Sequence, residues 1–581
     1  MTEPKAQGSL ALDLTNRDTG LEAALAEARA RAVSEKWADR AIGRRDPTVW
    51  SADDVVQRAI AQRLGWLEAP FHFADETTEL VAFAGALRDQ GFTTAVLGGM
   101  GGSSLAPALL AHVFGPAEGA TPVRVLDSTD PAAVAATLDD LDPLRTLFIV
   151  STKSGTTAES LSFQAYQWDR IDQALDAAGA GRPTQPGDYM VAISDPQKSV
   201  GSIPHHDQLR EVFLNPPDVG GRYSALTYVG LVPGALLGLD LDELLRRARE
   251  MVVACGHSDP AVNPGLALGL TMGVLSRQGR DKLTFVIDRE LAAFGPWVEQ
   301  LIAESTGKHG VGVVPVDGEP LAAASAYGND RVFVRISLAG SAGPDPAIGS
   351  NVDARLEQLA AAGHPVIRVA VDSKIDIGAE FVRWEVATAL AGVVLGIDPF
   401  DQPNVEEAKT NTRAVIASFE HGDAPAGGDA QGVADEVALK AALKKALPAL
   451  VPNGYAAIQA YIAQTPERDA ALSRIRVLFR DGTHRATTVG YGPRFLHSTG
   501  QLHKGGAPIG WFLQLVAEHP DDREIPGKAY TFGQLIDAQA LGDAQTLGDH
   551  KLPVVRINLG QNPDAGLAAL ERSLAAALEE G

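Results

Sequence analysis

Three short segments, far apart in the chain, hold residue types suited to chemistry: GGMGGSS at 98–104, STKSGTT at 151–157 and ESTGK at 304–308. The first follows Ala95-Val96-Leu97, a predicted strand. Its glycines let the backbone turn sharply and approach a ligand closely. Ser103 and Ser104 then open a helix, where unpaired N–H groups and the helix dipole favour an anion. No Gly-Lys-Ser/Thr follows and the spacing is not GxGxxG, so neither dinucleotide nor Walker chemistry is indicated. Taken alone, a tight turn capped by a serine is the simpler reading. STKSGTT follows the apolar run TLFIV and offers the hydroxyls of Ser151, Thr152, Ser154, Thr156 and Thr157 with the ammonium of Lys153. A structural capping loop rarely needs so many donors, and a phosphate nest does. A phosphate cradle plus one positioned carboxylate is what proton abstraction on a phosphorylated sugar requires.

The carboxylate is Glu304. Ahead of it stand Phe294, Trp297, Val298, Leu301 and Ile302, an amphipathic helical stripe. Glu304 falls seven residues after Trp297, at the edge of the stripe, and is expected to be partly solvated. Partial burial raises a carboxylate's pKa and makes it a better base near neutral pH. From spacing alone, a surface glutamate at a helix end is the plainer alternative. Asp218–Ser224 (DVGGRYS) is a glycine turn presenting Arg222, whose permanent charge suits an oxyanion; a structural ion pair explains it equally well. DPFDQP at 398–403 breaks a long helix, and the next helix carries Lys409, by itself an ordinary solvated lysine.

The elements that must position these residues are those of an α/β protein. Short β-branched runs at 123–126, 146–150 and 189–193 alternate with helical stretches, and a second series lies at 283–287, 311–315, 332–337 and 366–371, closed by a helix over about 377–396. We read an N-terminal helical segment (1–65), two parallel-sheet units (66–240 and 241–420), a Gly/Ala/Asp-rich linker (421–432) and a C-terminal α/β extension (433–581) with a helix near 435–447 and strands at 474–479, 509–516 and 553–558. At 581 residues the chain has room for roughly three or four domains of about 150 residues. A net charge of −23 argues against nucleic acid and anionic membranes as partners. The longest apolar run, 225–241, contains Pro233 and is short of the ~20 residues of a membrane span, so it reads as a core helix. The polar N-terminus lacks a secretory h-region, and a cytoplasmic location is the default expectation. The single cysteine, Cys255, sits among Val252, Val253 and Ala254 and reads as a packed thiol; it excludes an intrachain disulfide and a Cys-based metal site.

Five motifs, in order along 98–409, resemble the glucose-6-phosphate isomerase family: GGMGGSSLAP, TKSGTT, GGRYS, ESTGK and FDQPNVEEAK. RLGWL near 64 and LHSTGQLHKGG near 496 are similar to the isomerase half of bacterial transaldolase–phosphoglucose isomerase fusions. The resemblance implies two sugar isomerase (SIS) domains, doubly wound flavodoxin-like sandwiches, and reversible interconversion of glucose 6-phosphate and fructose 6-phosphate through a cis-enediol, with no cofactor and no metal. It implies that Thr152, Lys153, Ser154, Thr156 and Thr157 hold the phosphate, that Gly102 and Ser103 line the site, and that Glu304 moves the proton between C2 and C1. Arg222 then stabilises the enediolate, and Gln402 and Lys409 flank the sugar, Lys409 assisting ring opening. The family's Gln-Leu-Ile-His-Gln-Gly segment is missing from its usual place. Gln501-Leu502-His503-Lys504-Gly505-Gly506 has the right look, so His503 is the candidate ring-opening histidine, provided that the extension folds back onto the pocket; a loop histidine is the alternative. A homodimer follows from the family's habit. Two other readings share these motifs: an enzyme that also accepts mannose 6-phosphate, and a non-catalytic SIS-domain sensor, which need not keep Glu304, Arg222 and Lys409 together. An aldolase barrel would need eight βα units, which the strand pattern lacks.

Overall fold

The computed structural model describes residues 10–13, 19–179, 184–420 and 430–579. Three five-stranded sheets organise them. The first orders Val123–Leu126, Thr94–Gly98, Thr146–Ser151, Met190–Ser194 and Glu211–Leu214, all parallel. The second orders Val314–Val316, Lys282–Ile287, Arg331–Leu338 and Val366–Val371 in parallel, with Leu10–Asp13 antiparallel at its edge. The third orders Ala486–Tyr491, Tyr455–Tyr461, Gly510–Val516 and Val554–Asn558, with Gln431–Gly432 beside the last. In the first sheet the chain starts at Thr94–Gly98, steps outward to Val123–Leu126, then returns past its start to Thr146–Ser151. Ligands in such sheets bind beyond the carboxyl ends of the strands where the order reverses. Here those ends are Gly98 and Ser151, which open into the two anion-binding segments.

The α/β class and the parallel sheets agree with expectation, and the C-terminal extension is a parallel sheet in its own right. Four details differ. Leu10–Asp13 is a strand in a segment read as helical. Residues 474–479 lie inside the helix Pro466–Thr483, begun by Thr465, whose side chain accepts from Arg468 N–H. There Leu472, Ile475 and Phe479 recur at helical spacing and are buried, so the 3.6 period overrides the β-branched content of RIRVLF. Tyr455–Tyr461 and Ala486–Tyr491 are strands of the third sheet that the sequence reading missed. Of the linker, 421–429 lies outside the described residues, while Gln431–Gly432 pairs with Ile557 and Asn558. The apolar run at 225–241 contributes the core helix Tyr228–Leu236, and among the described residues no helix is long and apolar enough to cross a membrane.

One continuous apolar core joins the first two sheets, running from Ile149 and Val191 through Trp297 and Leu301 to Phe285 and Val334. The third sheet has a core of its own around Ile475, Trp511 and Leu570. Phe532, at the head of a third-unit helix, stacks on Phe163 of the first unit, with ring centroids 6.1 Å apart. The site lies where these bodies meet.

Candidate active site

The first glycine turn is shaped by contact as well as by conformation. A Cβ at Gly102 would lie 2.2 Å from the carbonyl oxygen of Gly221, so the 98–104 segment presses directly on the turn that presents Arg222. Ser104 is buried and donates to the Gly101 carbonyl at 3.1 Å, while Ser103 stays partly exposed. The second segment is folded on itself. Thr152 Oγ1 donates to Thr157 Oγ1 at 3.2 Å, and the exposed hydroxyls of Ser154 and Thr156 pair at 3.0 Å. Gly155 has φ +67°, and a Cβ there would lie 1.8 Å from the Ser199 carbonyl, which pins the loop against its neighbour. Lys153 forms an ion pair with Asp195 and donates to the Pro217 carbonyl at 3.3 Å, so its ammonium anchors the loop's flank. Burial pushes the Asp195 carboxyl up, against the pull of Lys153.

Glu304 lies on the helix Phe294–Thr306, and all five stripe residues are buried as the spacing predicts. The partial solvation expected of Glu304 is not found: the residue is only 6% exposed, because the opposite face of the helix is also covered. Arg222 Nη1 lies 3.3 Å from its Oε1, and Gln300 Nε2 donates to its Oε2 at 3.0 Å. Arg222 is 4% exposed and fully engaged. Its Nε donates to Ser305 Oγ at 2.8 Å, Nη1 to Gln402 Oε1 at 3.3 Å, and Nη2 to the carbonyls of Pro399 and Asp401 at 2.7 and 2.9 Å. Trp66, from the RLGWL segment, stacks on Tyr223 at 5.1 Å and backs the arginine turn. Lys308, the last residue of ESTGK, is buried and donates to the Asp398 and Asp401 carbonyls at 2.6 Å each, tying down the loop that carries Gln402. Burial, helped by nearby Arg222, lowers the Lys308 ammonium to about 8.

The histidine in this network is His497. Its carbonyl accepts from the same Gln300 Nε2 at 2.6 Å, and its Nε2 meets Glu159 Oε1 at 2.9 Å. Glu159 is the second residue of the helix that follows the STKSGTT loop. Gln539 of the third unit also donates to Glu159 Oε1, at 2.7 Å, and is held in turn by Thr129 at 2.7 Å. Burial penalises the Glu159 carboxylate, but the facing His497 and, more weakly, Lys409 outweigh it, so Glu159 sits below the usual carboxylate range. Glu304 is thereby linked to the base of the phosphate loop through Gln300, His497 and Glu159. His503 is elsewhere. Its ring is buried among Tyr455, Phe495 and Phe512, with centroids 6.1, 6.1 and 5.1 Å away, and Gln459 Nε2 is 3.5 Å from its Nδ1. Burial drives it down to about 3, and it is packed as a neutral core side chain. The extension does fold back onto this network, and the histidine it places there is His497, six residues before His503.

The phosphoglucose isomerase family model matches residues 83–326. A glucose-6-phosphate isomerase of Rubrobacter xylanophilus is 32% identical over 369 residues, covering 56% of this chain and 83% of the relative. The chain belongs to the phosphoglucose isomerase family. A probable glucose-6-phosphate isomerase of Haloarcula marismortui is 31% identical, over 55% of this chain and 77% of the relative. Among solved structures, a hypothetical protein of Thermus thermophilus aligns with a TM-score of 0.55 at 25% identity, over 70% of this chain and all of the other. A glucose-6-phosphate isomerase of Chlamydia trachomatis shares the fold, with a TM-score of 0.53 at 20% identity over 71% of this chain and 89% of its own. The family match ends at 326, short of Gln402, Lys409 and His497. Sequence reasoning missed His497, Glu159, Gln300 and Lys308. Glu159 was marked only by closely following the Thr-Thr of the loop, and His497 only by opening the LHSTGQLHKGG segment in which His503 drew attention.

Proposed function

We propose that this member of the phosphoglucose isomerase family interconverts glucose 6-phosphate and fructose 6-phosphate by proton transfer through a cis-enediol. One observation carries the reading: Glu304 is held by Arg222 and Gln300, and Gln300 joins it through His497 and Glu159 to the start of the helix opened by the hydroxyl-rich loop. Ser154, Thr156 and Thr157 receive the phosphate, with Thr152 and Lys153 supporting the loop. Glu159, held in its ionised form, accepts the Nε2–H of His497 and leaves Nδ1 to exchange a proton with the ring oxygen as the sugar opens. Lys409 adds positive charge to that pair. In the open sugar the carbonyl acidifies the C2 hydrogen, Glu304 carries it to C1, and Arg222 offsets the charge that develops on the enediolate. A ligand-sensing role would not call for a buried Glu304–Arg222 ion pair beside the loop. A homodimer belongs to the same proposal, on the resemblance alone; light scattering that finds only a monomer would remove it.

The test is a coupled assay on fructose 6-phosphate that compares wild type with Glu304→Gln. Loss of turnover by about a hundred- to ten-thousand-fold, with 6-phosphogluconate still bound, is the expected outcome. Full activity in the variant would require a different base.

A further inference from the structure

The third unit meets the first along two helices. On Phe532–Asp549, the residues Phe532, Leu535 and Gln539 recur at i, i+3 and i+7 and so share one face. On Ala158–Ala177, Glu159, Phe163 and Tyr166 recur at i, i+4 and i+7. The two stripes run in opposite directions. Phe532 packs on Phe163 and Tyr166, with ring centroids 6.1 and 5.6 Å away, and Gln539, two turns further along its own helix, reaches Glu159. Leu535, between them, is buried in the apolar core that joins the first two sheets. The seam is thus apolar at one end and polar at the other.

The polar end is closed. Thr129 follows the strand Val123–Leu126 at the carboxyl end of the first sheet, and Thr129, Gln539 and Glu159 are all buried. An ionised carboxylate only accepts, so the Gln539 amide turns Nε2 toward Glu159 Oε1, at 2.7 Å. Its own Oε1 is left for the Thr129 hydroxyl, which donates to it at 2.7 Å. The same Glu159 oxygen meets His497 Nε2. Groups from three separate stretches of chain therefore converge on one carboxylate oxygen. A slip of one turn along the seam would move the amide by about 5 Å and leave Thr129, Gln539 and one face of Glu159 buried without partners. Apolar stripes alone tolerate such a slip, whereas a buried polar contact selects one register.

We propose that Gln539, clamped by Thr129, is a positioning residue for ring opening: it sets the register of the third unit on the first and holds Glu159 Oε1 where His497 Nε2 meets it. The inference rests on the reading of Glu159 and His497 as the ring-opening pair. Three variants of the full chain test it. Gln539→Leu keeps the side-chain bulk and the apolar seam but loses the donor, Thr129→Val loses the clamp, and Thr129→Ser keeps its hydroxyl. Turnover on fructose 6-phosphate is expected to fall about tenfold in the first two and to be largely recovered in the third. Tritium exchange at C2 of the open-chain form and binding of 6-phosphogluconate should stay within about twofold of wild type in all three. A packing role alone would lower turnover and exchange together or leave both intact. The low-field Nε2 proton of His497 in the NMR spectrum, identified by its loss in His497→Gln, reads the seat without turnover. It is expected to shift in Gln539→Leu and Thr129→Val and to hold in Thr129→Ser. Unchanged turnover in Gln539→Leu and Thr129→Val, an equal fall in C2 exchange, or an unmoved His497 proton would each overturn the role of Gln539. If wild type does not turn over fructose 6-phosphate, or His497→Gln leaves ring opening intact, the functional reading fails instead, and the His497 proton alone decides whether Gln539 seats that ring.

Discussion

Two histidines six positions apart have opposite surroundings. His497 Nε2 lies 2.9 Å from the buried carboxylate of Glu159 and part of its ring stays accessible, whereas His503 is enclosed by aromatic rings. His497→Gln is therefore expected to lower turnover on the cyclic sugar by about a hundred-fold or more, while tritium exchange at C2 of the open-chain form declines far less. His503→Leu is expected to keep turnover near wild type. His503 also has a stability signature. Its folded value of about 3 lies below the ordinary 6.5, so the unfolded chain takes up its proton first as pH falls. The contribution is complete above about 6.5 and is lost progressively between there and about 3. Melting temperatures measured across that window should fall less steeply for His503→Leu than for wild type.

At the scale of elements, the 151–157 loop works through its backbone. The positive φ of Gly155 and its approach to the Ser199 carbonyl leave no room for a side chain. Gly155→Ala should displace the hydroxyls without touching Glu304 or His497, so steady-state kinetics are expected to show a raised KM with kcat less affected. Much of this loop was legible in the sequence, because its chemistry is contiguous: a buried strand, then hydroxyls, then a helix. The stripe ahead of Glu304 was legible for the same reason, being a local period. What covers the far side of that helix is tertiary, and so the burial of Glu304 was not. The third sheet was hidden by composition. Tyr455–Tyr461 reads YAAIQAY, with three alanines where a strand usually carries β-branched residues, yet it is buried along its whole length. RIRVLF has the opposite character and is helical. His497 was obscured because its role depends on a partner 338 positions away, which no local pattern encodes.

On the scale of the whole molecule, the third unit contributes side chains to the candidate site. It brings His497 and Gln539 to Glu159, and it is fastened to the first unit by Arg494 on Asp127 and by Arg523 on Asp139, the latter with contacts of 2.9 and 2.6 Å. Arg494→Ala would leave Asp127 buried without its guanidinium partner, next to the turn that carries His497. Turnover is expected to fall while substrate affinity holds, since the phosphate loop belongs to the first unit, and a separate early transition in thermal unfolding should report the loosened seat.

At the outer border of the second sheet, Leu10–Asp13 runs against Val366–Val369 in the opposite sense to every other strand there. Reversed polarity lets a short piece of chain finish a parallel sheet without a crossover helix. It also occupies amide and carbonyl groups that would otherwise stand ready to recruit a strand from another molecule. Four residues distant from any chemistry thus leave that border with a shorter edge than the six-residue Val366–Val371 would present.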